Sequence, residues 1–334
     1  MIIRRPWFAA LLALLACIPN LAAANDPGAD GLFGRDVRGA VALKGRLWAH
    51  GYGALAWFDL TTGVRHVEIP NGVLDLARWN GEVWALRRRA DLAAPSPDHS
   101  RYSAYYLRGG ALVELPPLTA RTAGGPLNLA MSAAGPRFVG AASVWTLARG
   151  ANRWGERRIR WPKGAAPAGY AAVAASMDGR SLYLIAKGAP RGGPLLRVDP
   201  ASGRASVLGK AAMAALTPDP NKPGCVIAAY ADGPGTSSGD LARVCGDTVT
   251  KIEFRPDVLN TTEPIIGLAA EGDVIWAMGA AGLYKLVGST RVRFSLTAWT
   301  TLADREVSRP APGALVVLSD LGPNGRLPLV VAAP

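Results

Sequence analysis

The chain has 334 residues, of which 49% are hydrophobic and 19% are charged, a composition that excludes a disordered polymer and permits a sizeable core. Its 37 basic residues outnumber its 25 acidic ones, and the net charge of +12 suits an anionic partner. The three histidines have no paired spacing and there is no Cys-x-x-Cys motif, so no zinc or other metal site is predicted.

Residues 1–24 have the parts of a secretory signal peptide. Arg4 and Arg5 precede an apolar run too short to span a membrane, and small residues favour cleavage after Ala24. The mature chain is then expected in the periplasm of a Gram-negative bacterium, or secreted, with no transmembrane segment. An alternative takes residues 14–17 as a lipoprotein box, in which Cys17 would be acylated on an outer-membrane assembly lipoprotein.

A glycine followed by a short apolar strand recurs seven times along the mature chain. The glycines are Gly45, Gly81, Gly135, Gly179, Gly224, Gly272 and Gly313. Their spacing of about 36 to 54 residues is that of a four-stranded propeller blade, and no sustained helical period accompanies it. The sequence therefore predicts an all-β, single-domain, seven-bladed β-propeller over residues 25–334, with six or eight blades as the alternative counts.

The first repeat shows all four strands, over residues 39–43, 46–50, 55–60 and 64–69, closed by the turn Asp59–Gly63. The same turn pattern recurs at Asp199–Gly203, where aspartate opens and glycine ends the turn. Outer fourth strands are predicted at Val64–Ile69, Ala111–Leu115, Arg157–Trp161, Ala205–Leu208, Val249–Phe254 and Arg291–Leu296.

The seventh repeat has no fourth strand. Its first three are predicted near Leu296–Leu302, at Ala314–Leu318 and at Leu327–Ala332. Gly31–Val37 is left over at the other end of the chain, and we expect it to supply the missing outer strand and close the ring.

Aromatic residues recur at fixed places in the repeats. Trp48, Trp84, Tyr183 and Trp276 fall on second strands, and Trp57, Tyr106, Trp145 and Tyr284 fall on third strands. We expect both sets to pack between and within blades rather than to bind a ligand.

Removal of the signal peptide leaves Cys225 and Cys245 in a chain exported to an oxidising compartment. The segment between them reads as strand, turn and strand. If the hairpin folds about Gly235, the two cysteines face each other across the pair, so a disulfide is predicted.

The repeat pattern resembles the broad quinoprotein-like and YncE-like class of bacterial β-propellers over nearly the whole mature chain. Quinone enzymes of that class carry a tryptophan at the end of each repeat and often a vicinal cysteine pair, which this chain lacks. No cofactor is therefore predicted, and calcium and pyrroloquinoline quinone stay open as alternatives. Asp75 and Asn128 are isolated candidates for the metal cluster of a lactonase-type propeller.

Gly235–Gly239 matches the string of a nucleophile elbow, but that motif requires a strand-to-helix turn with histidine and acid partners. We interpret it as a hairpin tip. Asp232 and Asp240 flank it without the ligand spacing of a calcium loop.

The segment Arg153–Lys163 interleaves arginines with Trp154 and Trp161. Such a segment suits an anionic polymer, through ion pairing and stacking. It also falls on an outer strand, where charges protect an exposed edge, and the sequence favours this second interpretation.

The leading candidate site is the longest loop between a second and a third strand. Such loops and the links between blades emerge on one face, around the channel mouth, and long loops are often functional. The candidates are Arg87, Arg88, Arg89, His99 and Arg101 in or beside this loop, with His50, Tyr52, Arg121, Lys187 and Arg191 on the same face.

These observations lead to an expected function. The chain is predicted to be a non-catalytic binding module that recognises a protein or an anionic envelope polymer, and not nucleic acid. The alternative is a metal- or quinone-dependent propeller enzyme, either a hydrolase such as a lactonase or a dehydrogenase. Nothing in the sequence indicates the oligomeric state.

Overall fold

The computed structural model describes residues 39–43, 46–51, 53–59, 65–79, 81–108, 110–121, 127–147, 153–187, 193–231, 239–252, 265–271, 274–279, 283–287, 290–293, 299–301, 315–319 and 327–331. Every regular element in these residues is a β-strand, and the strands form six antiparallel sheets. The proposed signal peptide and lipoprotein box lie outside the described residues, as does Gly31–Val37.

The first three sheets follow the chain. Blade 1 contains β1 (Gly39–Leu43), β2 (Arg46–Gly51), β3 (Ala54–Asp59) and β4 (Arg65–Ile69). Blade 2 contains β5 (Val73–Trp79), β6 (Glu82–Arg88), β7 (His99–Arg108) and β8 (Ala111–Glu114), with β9 (Leu118–Arg121) also paired to β7. Blade 3 contains β10 (Asn128–Ser132), β11 (Gly135–Val139), β12 (Ser143–Leu147) and β13 (Trp154–Arg158).

The fourth sheet has seven strands and forms blades 4 and 5. It contains β14 (Tyr170–Ala175), β15 (Leu182–Ala186), β16 (Gly193–Val198), β17 (Ala205–Pro218), β18 (Cys225–Tyr230), β19 (Leu241–Cys245) and β20 (Thr248–Ile252). Blade 6 contains β21 (Ile265–Glu271), β22 (Val274–Gly279), β23 (Leu283–Val287) and β24 (Thr290–Arg293). Blade 7 contains β25 (Trp299–Thr301), β26 (Leu315–Ser319) and β27 (Leu327–Val331).

The innermost strands of successive blades contact one another. β1 contacts β5, β5 contacts β10, β10 contacts β14, and β14 contacts β17; β17 in turn contacts β21, β21 contacts β26, and β26 contacts β1. The all-β, propeller-type fold predicted from the glycine–strand repeat is confirmed. The count of seven blades stays a prediction, which this order of contacts supports.

The strand order in blade 7 differs from the predicted one. β25 pairs with β27, which pairs with β26, so β26 rather than β25 is the strand that contacts the neighbouring blades. The sequence of β26, Leu-Val-Val-Leu-Ser, is almost entirely apolar. An apolar run of this kind suits the position with a blade on either side, whereas Trp-Thr-Thr in β25 suits a more exposed one.

One strand serves two blades. β17 is 14 residues long, and its first part pairs with β16 while its last part pairs with β18. The sequence predicted only its first part, as the outer strand Ala205–Leu208. The outer strand of blade 4 therefore continues into the inner strand of blade 5 without an intervening loop.

Two outer strands also differ from prediction. In blade 3 the outer strand is β13 (Trp154–Arg158), not Arg157–Trp161, because the Trp154 ring stacks on Phe138 at a centroid distance of 4.3 Å and holds that residue in the sheet. In blade 2 the outer strand resumes as β9 after Pro116 and Pro117, which interrupt its pairing because proline has no N–H to donate.

The core lies between the blades. One cluster of buried residues joins blades 2 and 3 through Trp84, Leu86, Leu129, Phe138 and Trp145. A second joins blades 3 and 4. Each fully buried aliphatic or aromatic side chain contributes about 1.5–3 kcal/mol relative to an exposed one. Packing between neighbouring blades therefore supplies much of the stability.

The recurrent aromatic residues pack as predicted. All four on second strands are buried: Trp48, Trp84, Tyr183 and Trp276. On third strands Trp145 and Tyr284 are buried, whereas Trp57 and Tyr106 are half-buried. Tyr106 is the register partner of Trp84, and their rings stack at 4.8 Å.

The predicted disulfide is present. Cys225 and Cys245 are register partners at the start of β18 and the end of β19, their Cα atoms lie 4.4 Å apart, and the bond closes a 20-residue separation. The hairpin tip, residues 232–238, lies outside the described residues. The described strands on either side of it are antiparallel to each other.

Candidate functional site

The β6–β7 loop, residues 89–98, is the long loop predicted as the binding site. It lies at the end of blade 2, between Arg88 of β6 and His99 of β7. The start of β7 also pairs with β9, with His99 opposite Arg121. The structure thus brings Arg87, Arg88, Arg89, His99, Arg101 and Arg121 together on one end of one sheet.

Arg89 is the central side chain of this loop. Its guanidinium donates to both carboxylate oxygens of Asp91 at 2.6–3.0 Å, to the Tyr105 hydroxyl at 3.1 Å and to the Glu114 carboxylate. The hydrogen bond with Asp91 raises the pKa of Arg89 and lowers the pKa of Asp91 to about 2. Only 14% of the Arg89 side chain is exposed, so its charge holds the loop to strands β7 and β8.

Arg87 and Arg101 also have partners within the chain. Arg87 donates to the backbone oxygen and the side-chain amide oxygen of Asn71, at 3.0 and 2.9 Å. Arg101 donates to the backbone oxygen of Ala93 at 2.8 Å, and the backbone N–H of Arg89 donates to the Arg101 oxygen at 2.7 Å. These contacts tie both the middle and the base of the loop to the sheet.

A small polar cluster fixes the second half of the loop. The Ser96 hydroxyl donates to Asp98, and His99 Nδ1 lies 2.6 Å from Ser96 Oγ and 2.9 Å from Asp98 Oδ1. The hydrogen bond from Ser96, followed by that with His99, lowers the pKa of Asp98. The Asp98 carboxylate nevertheless remains 59% exposed and is accessible to a partner.

Two of the predicted arginines project from this framework. Arg88 and Arg121 are exposed, and the structure shows no ion pair between either one and another described residue. The exposed side chains of Asp91 and Asp98 accompany them. The surface of the loop therefore carries both signs of charge on a backbone that hydrogen bonds hold against the strands.

The other predicted residues lie elsewhere. His50 is buried at the end of β2, with 3% of its surface exposed, so its ring is not presented on the loop surface. Lys187 is exposed after β15 in blade 4, where its backbone N–H donates to the Gly169 oxygen at 2.9 Å. Tyr52 and Arg191 lie outside the described residues.

No group of three or more histidine, cysteine, aspartate or glutamate side chains that could hold a metal ion occurs in the part of the chain that the structure describes. Asp75, the isolated candidate for a channel metal, accepts hydrogen bonds from the backbone N–H groups of Leu76 and Leu129 at 2.8 and 2.7 Å. Asn128 donates to the Val139 oxygen at 3.5 Å. Both polar groups therefore have structural partners.

In the arginine–tryptophan segment, Arg153–Lys163, the two tryptophans are half-buried and the arginines are exposed. The indole N–H groups of Trp154 and Trp161 donate to the backbone oxygens of Pro116 and Ala141, at 2.7 and 2.8 Å. Both rings are half-buried: Trp154 stacks on Phe138, and Trp161 packs against the buried cluster of blades 3 and 4. Arg157 and Arg158 are exposed on β13, the outermost strand of blade 3. Charges thus line this edge of the blade.

No protein-family model and no curated protein matches the chain. Solved structures do match. One is the extracellular domain of a putative hybrid two-component system from B. thetaiotaomicron, with 12% identity and a TM-score of 0.52 over 89% of this chain. Another is a chain of the mitotic checkpoint complex, with 10% identity and a TM-score of 0.55 over 93% of both chains.

These likenesses show the fold alone, because the identities are low. The chain spans 38% of the length of the extracellular domain that it matches. The disulfide is of a kind that forms and persists in oxidising compartments. Within the described residues, the structure has no helix that could cross a membrane.

Proposed function

We propose that this protein is an exported, non-catalytic binding module that holds a protein partner at the β6–β7 loop of blade 2. The observation that carries this proposal is the internal anchoring of the loop. Arg89 connects Asp91 at the start of the loop to Tyr105 and Glu114, and Arg101 holds the Ala93 oxygen in its middle. A loop that is ordered before binding loses less conformational entropy when a partner binds.

The exposed chemistry of the loop favours a protein partner. Arg88 precedes the loop that carries the exposed carboxylates of Asp91 and Asp98, and Arg121 pairs with His99 at the end of that loop, so this end of the blade is mixed in charge rather than uniformly basic. Complementary charges of both signs give specificity between proteins, whereas a simple polyanion would be repelled by the carboxylates. The similar chain of the mitotic checkpoint complex, by its name, also belongs to an assembly.

The proposed mechanism is display on a rigid scaffold. Packing between blades fixes the sheet, the anchored arginines fix the loop, and Arg88 and Arg121 then pair with carboxylates of the partner. This function includes export to the periplasm or the cell exterior. It requires no cofactor.

The test uses photo-crosslinking in cells followed by a binding measurement. A photoreactive residue is placed at position 88, at position 121, or at exposed Lys222 in the β17–β18 turn as a control. We expect one discrete adduct from positions 88 and 121 and none from position 222. With the purified partner, Arg88→Glu/Arg121→Glu should weaken binding at least about tenfold, because two ion pairs become repulsive.

Two results would contradict this proposal. One is an unchanged affinity of the Arg88→Glu/Arg121→Glu variant for the crosslinked partner. The other is a raised melting temperature with calcium or pyrroloquinoline quinone, because a ligand that binds only the folded state stabilises it by about 2.7 kcal/mol at 100 times its Kd. The second result would favour the metal- or quinone-dependent enzyme.

A further inference from the structure

A cluster of exposed arginines lies on the outer edge of blades 3 and 4, away from the β6–β7 loop. After β13 the chain crosses to blade 4, where Arg160 forms a parallel bridge with Arg204. The Arg160 N–H donates to the Gly203 oxygen at 2.8 Å, and the Ala205 N–H donates to the Arg160 oxygen at 3.2 Å. We call this surface the outer-edge patch; it comprises Arg157, Arg158, Arg160, Lys163 and Arg204.

The bridge brings arginines from separate parts of the sequence around one turn. A Cβ atom placed on Gly203 would lie 3.1 Å from Arg157 Cγ, so the Arg157 side chain runs alongside the turn that precedes Arg204. Arg160 Nη2 donates to the Ser202 oxygen, in the same turn, at 2.9 Å. Three guanidinium groups therefore emerge from a single stretch of surface that spans two blades.

The basic side chains of the patch form no close ion pair within the described part of the chain. All five basic residues are exposed, and none forms an ion pair with a described carboxylate. The nearby carboxylates have other partners: Glu156 accepts from the Ser143 hydroxyl at 2.6 Å, and Asp199 accepts from the Ser202 hydroxyl at 2.7 Å. Asp247 accepts from Arg197 at 3.0 Å, and this hydrogen bond, with a smaller contribution from the charge of Arg204, lowers the pKa of Asp247. The charge of Arg89, by contrast, is paired with Asp91 and Glu114.

The chemistry around the patch narrows the kind of partner. Val207 is the only exposed large hydrophobic side chain among the described residues. A single valine is too little apolar surface to insert into a lipid bilayer. Trp154 stacks on Phe138 and Trp161 is half-buried against the core, so both rings present little face on which bases could stack. What remains is a strip of guanidinium groups, each able to pair with a carboxylate through two hydrogen bonds.

The backbone hydrogen bonds at the patch favour a polysaccharide over a peptide as its partner. A peptide that extends a sheet forms continuous main-chain hydrogen bonds along its edge. Here the bridge at Arg160 and Arg204 occupies that edge in the middle of the patch. A polymer that needs only its carboxylates to reach the surface meets no such obstacle. We therefore propose that the outer-edge patch binds an acidic polysaccharide through paired guanidinium and carboxylate groups.

The experiment measures binding of the mature protein to sodium alginate, a polyuronate, with neutral dextran as the uncharged comparison. The test variant is Arg157→Gln/Arg204→Gln. The matched control is Arg180→Gln/Lys222→Gln, which removes two exposed charges in turns outside the patch. Melting temperatures of all three proteins verify folding.

We expect alginate but not dextran to bind, with an affinity that falls as salt is added. The patch variant should bind alginate at least about fivefold more weakly than the wild type, since each exposed ion pair contributes a modest amount, while the control changes by less than about twofold. Crosslinking from position 88 should be the same in the wild type and the patch variant, which separates this proposal from that of the β6–β7 loop.

Several outcomes would overturn the proposal. If the patch and control variants lose the same affinity for alginate, then binding depends only on the net charge of the protein. If the wild-type protein does not bind alginate, the outer-edge patch is not a site for acidic polysaccharides. Tighter binding to polyglutamate, or to vesicles that contain phosphatidylglycerol, would assign the patch to an acidic protein segment or to a lipid surface instead.

Discussion

The Asp75 carboxylate accepts a hydrogen bond of 2.7 Å from the backbone N–H of Leu129, and this bond joins the innermost strands of blades 2 and 3. The same carboxylate accepts from the N–H of Leu76 at 2.8 Å, next to an irregularity in the pairing of β5 with β6. A side chain thus satisfies two backbone donors where the β-ladder is interrupted. Asp75 therefore has a structural role on this inner strand.

Replacing Asp75 with alanine should lower the free energy of unfolding by about 2 kcal/mol, because two backbone N–H groups lose a charged acceptor. Urea denaturation of the purified protein measures this. Asp75→Asn keeps one acceptor oxygen and should cost about half as much. If the alanine variant were as stable as the wild type, the hydrogen bonds to Asp75 would contribute nothing to blade packing.

Loss of the disulfide should also destabilise the fold. Cys225→Ser/Cys245→Ser opens a link across 20 residues, and the chain-entropy model gives a loss of about 3 kcal/mol for a loop of that length. Thermal melts of the variant, and of the wild type with and without reductant, provide the measurement. The double variant should melt at the same temperature in both conditions, whereas the wild type should melt lower when reduced.

Gly203 and Gly81 offer a matched pair of substitutions. Both have positive φ, at 74° and 70°, but a Cβ on Gly203 would lie 2.2 Å from the Arg158 oxygen, whereas a Cβ on Gly81 would meet nothing within 4 Å. Gly81→Ala should cost about 1 kcal/mol from backbone strain alone. Gly203→Ala should cost more, because the bridge between blades 3 and 4 must shift. If Gly81→Ala and Gly203→Ala had the same denaturation midpoint, the close approach of Gly203 to the Arg158 oxygen would be contradicted.

Arg89 should control the titration of Asp91. The hydrogen bond between them lowers the pKa of Asp91 to about 2, so the contact is complete above the ordinary aspartate pKa of about 4 and is lost as the pH falls towards 2. In Arg89→Gln the pKa of Asp91 should return to about 4. Carboxyl carbon shifts in an NMR titration report this directly.

Asp98 is the internal control for that titration. Its pKa is lowered by Ser96 and His99, not by Arg89, and so should remain low in Arg89→Gln. A parallel shift of Asp91 and Asp98 would show that the whole loop had unfolded rather than that one ion pair had been removed.

Much of the fold was predictable because it repeats. Glycine turns and apolar strands recur with a period that local pairing preserves, and the facing cysteines follow from one hairpin register. The strand order of blade 7 was not predictable, since three short strands can pair in more than one order. Strand β9 was missed because Pro116 and Pro117 indicate the end of a strand, although here they only interrupt one.

The candidate site was predicted in position but not in detail. The length of the β6–β7 loop located it, but the role of Arg89 depends on Glu114, which is 25 residues away and is brought close by the pairing of β7 with β8. Likewise, Arg204 joins Arg160 only through a bridge between two blades. Contacts of this kind arise from tertiary structure and leave no local pattern in the sequence.

The unbroken strand β17 has a consequence for how the molecule opens. Because it is hydrogen-bonded to β16 at one end and to β18 at the other, blades 4 and 5 share a backbone segment and cannot separate without breaking pairs in both. The two blades should exchange their amide hydrogens as one cooperative unit, with the disulfide at its far hairpin. Separation of neighbouring blades should therefore begin at other boundaries.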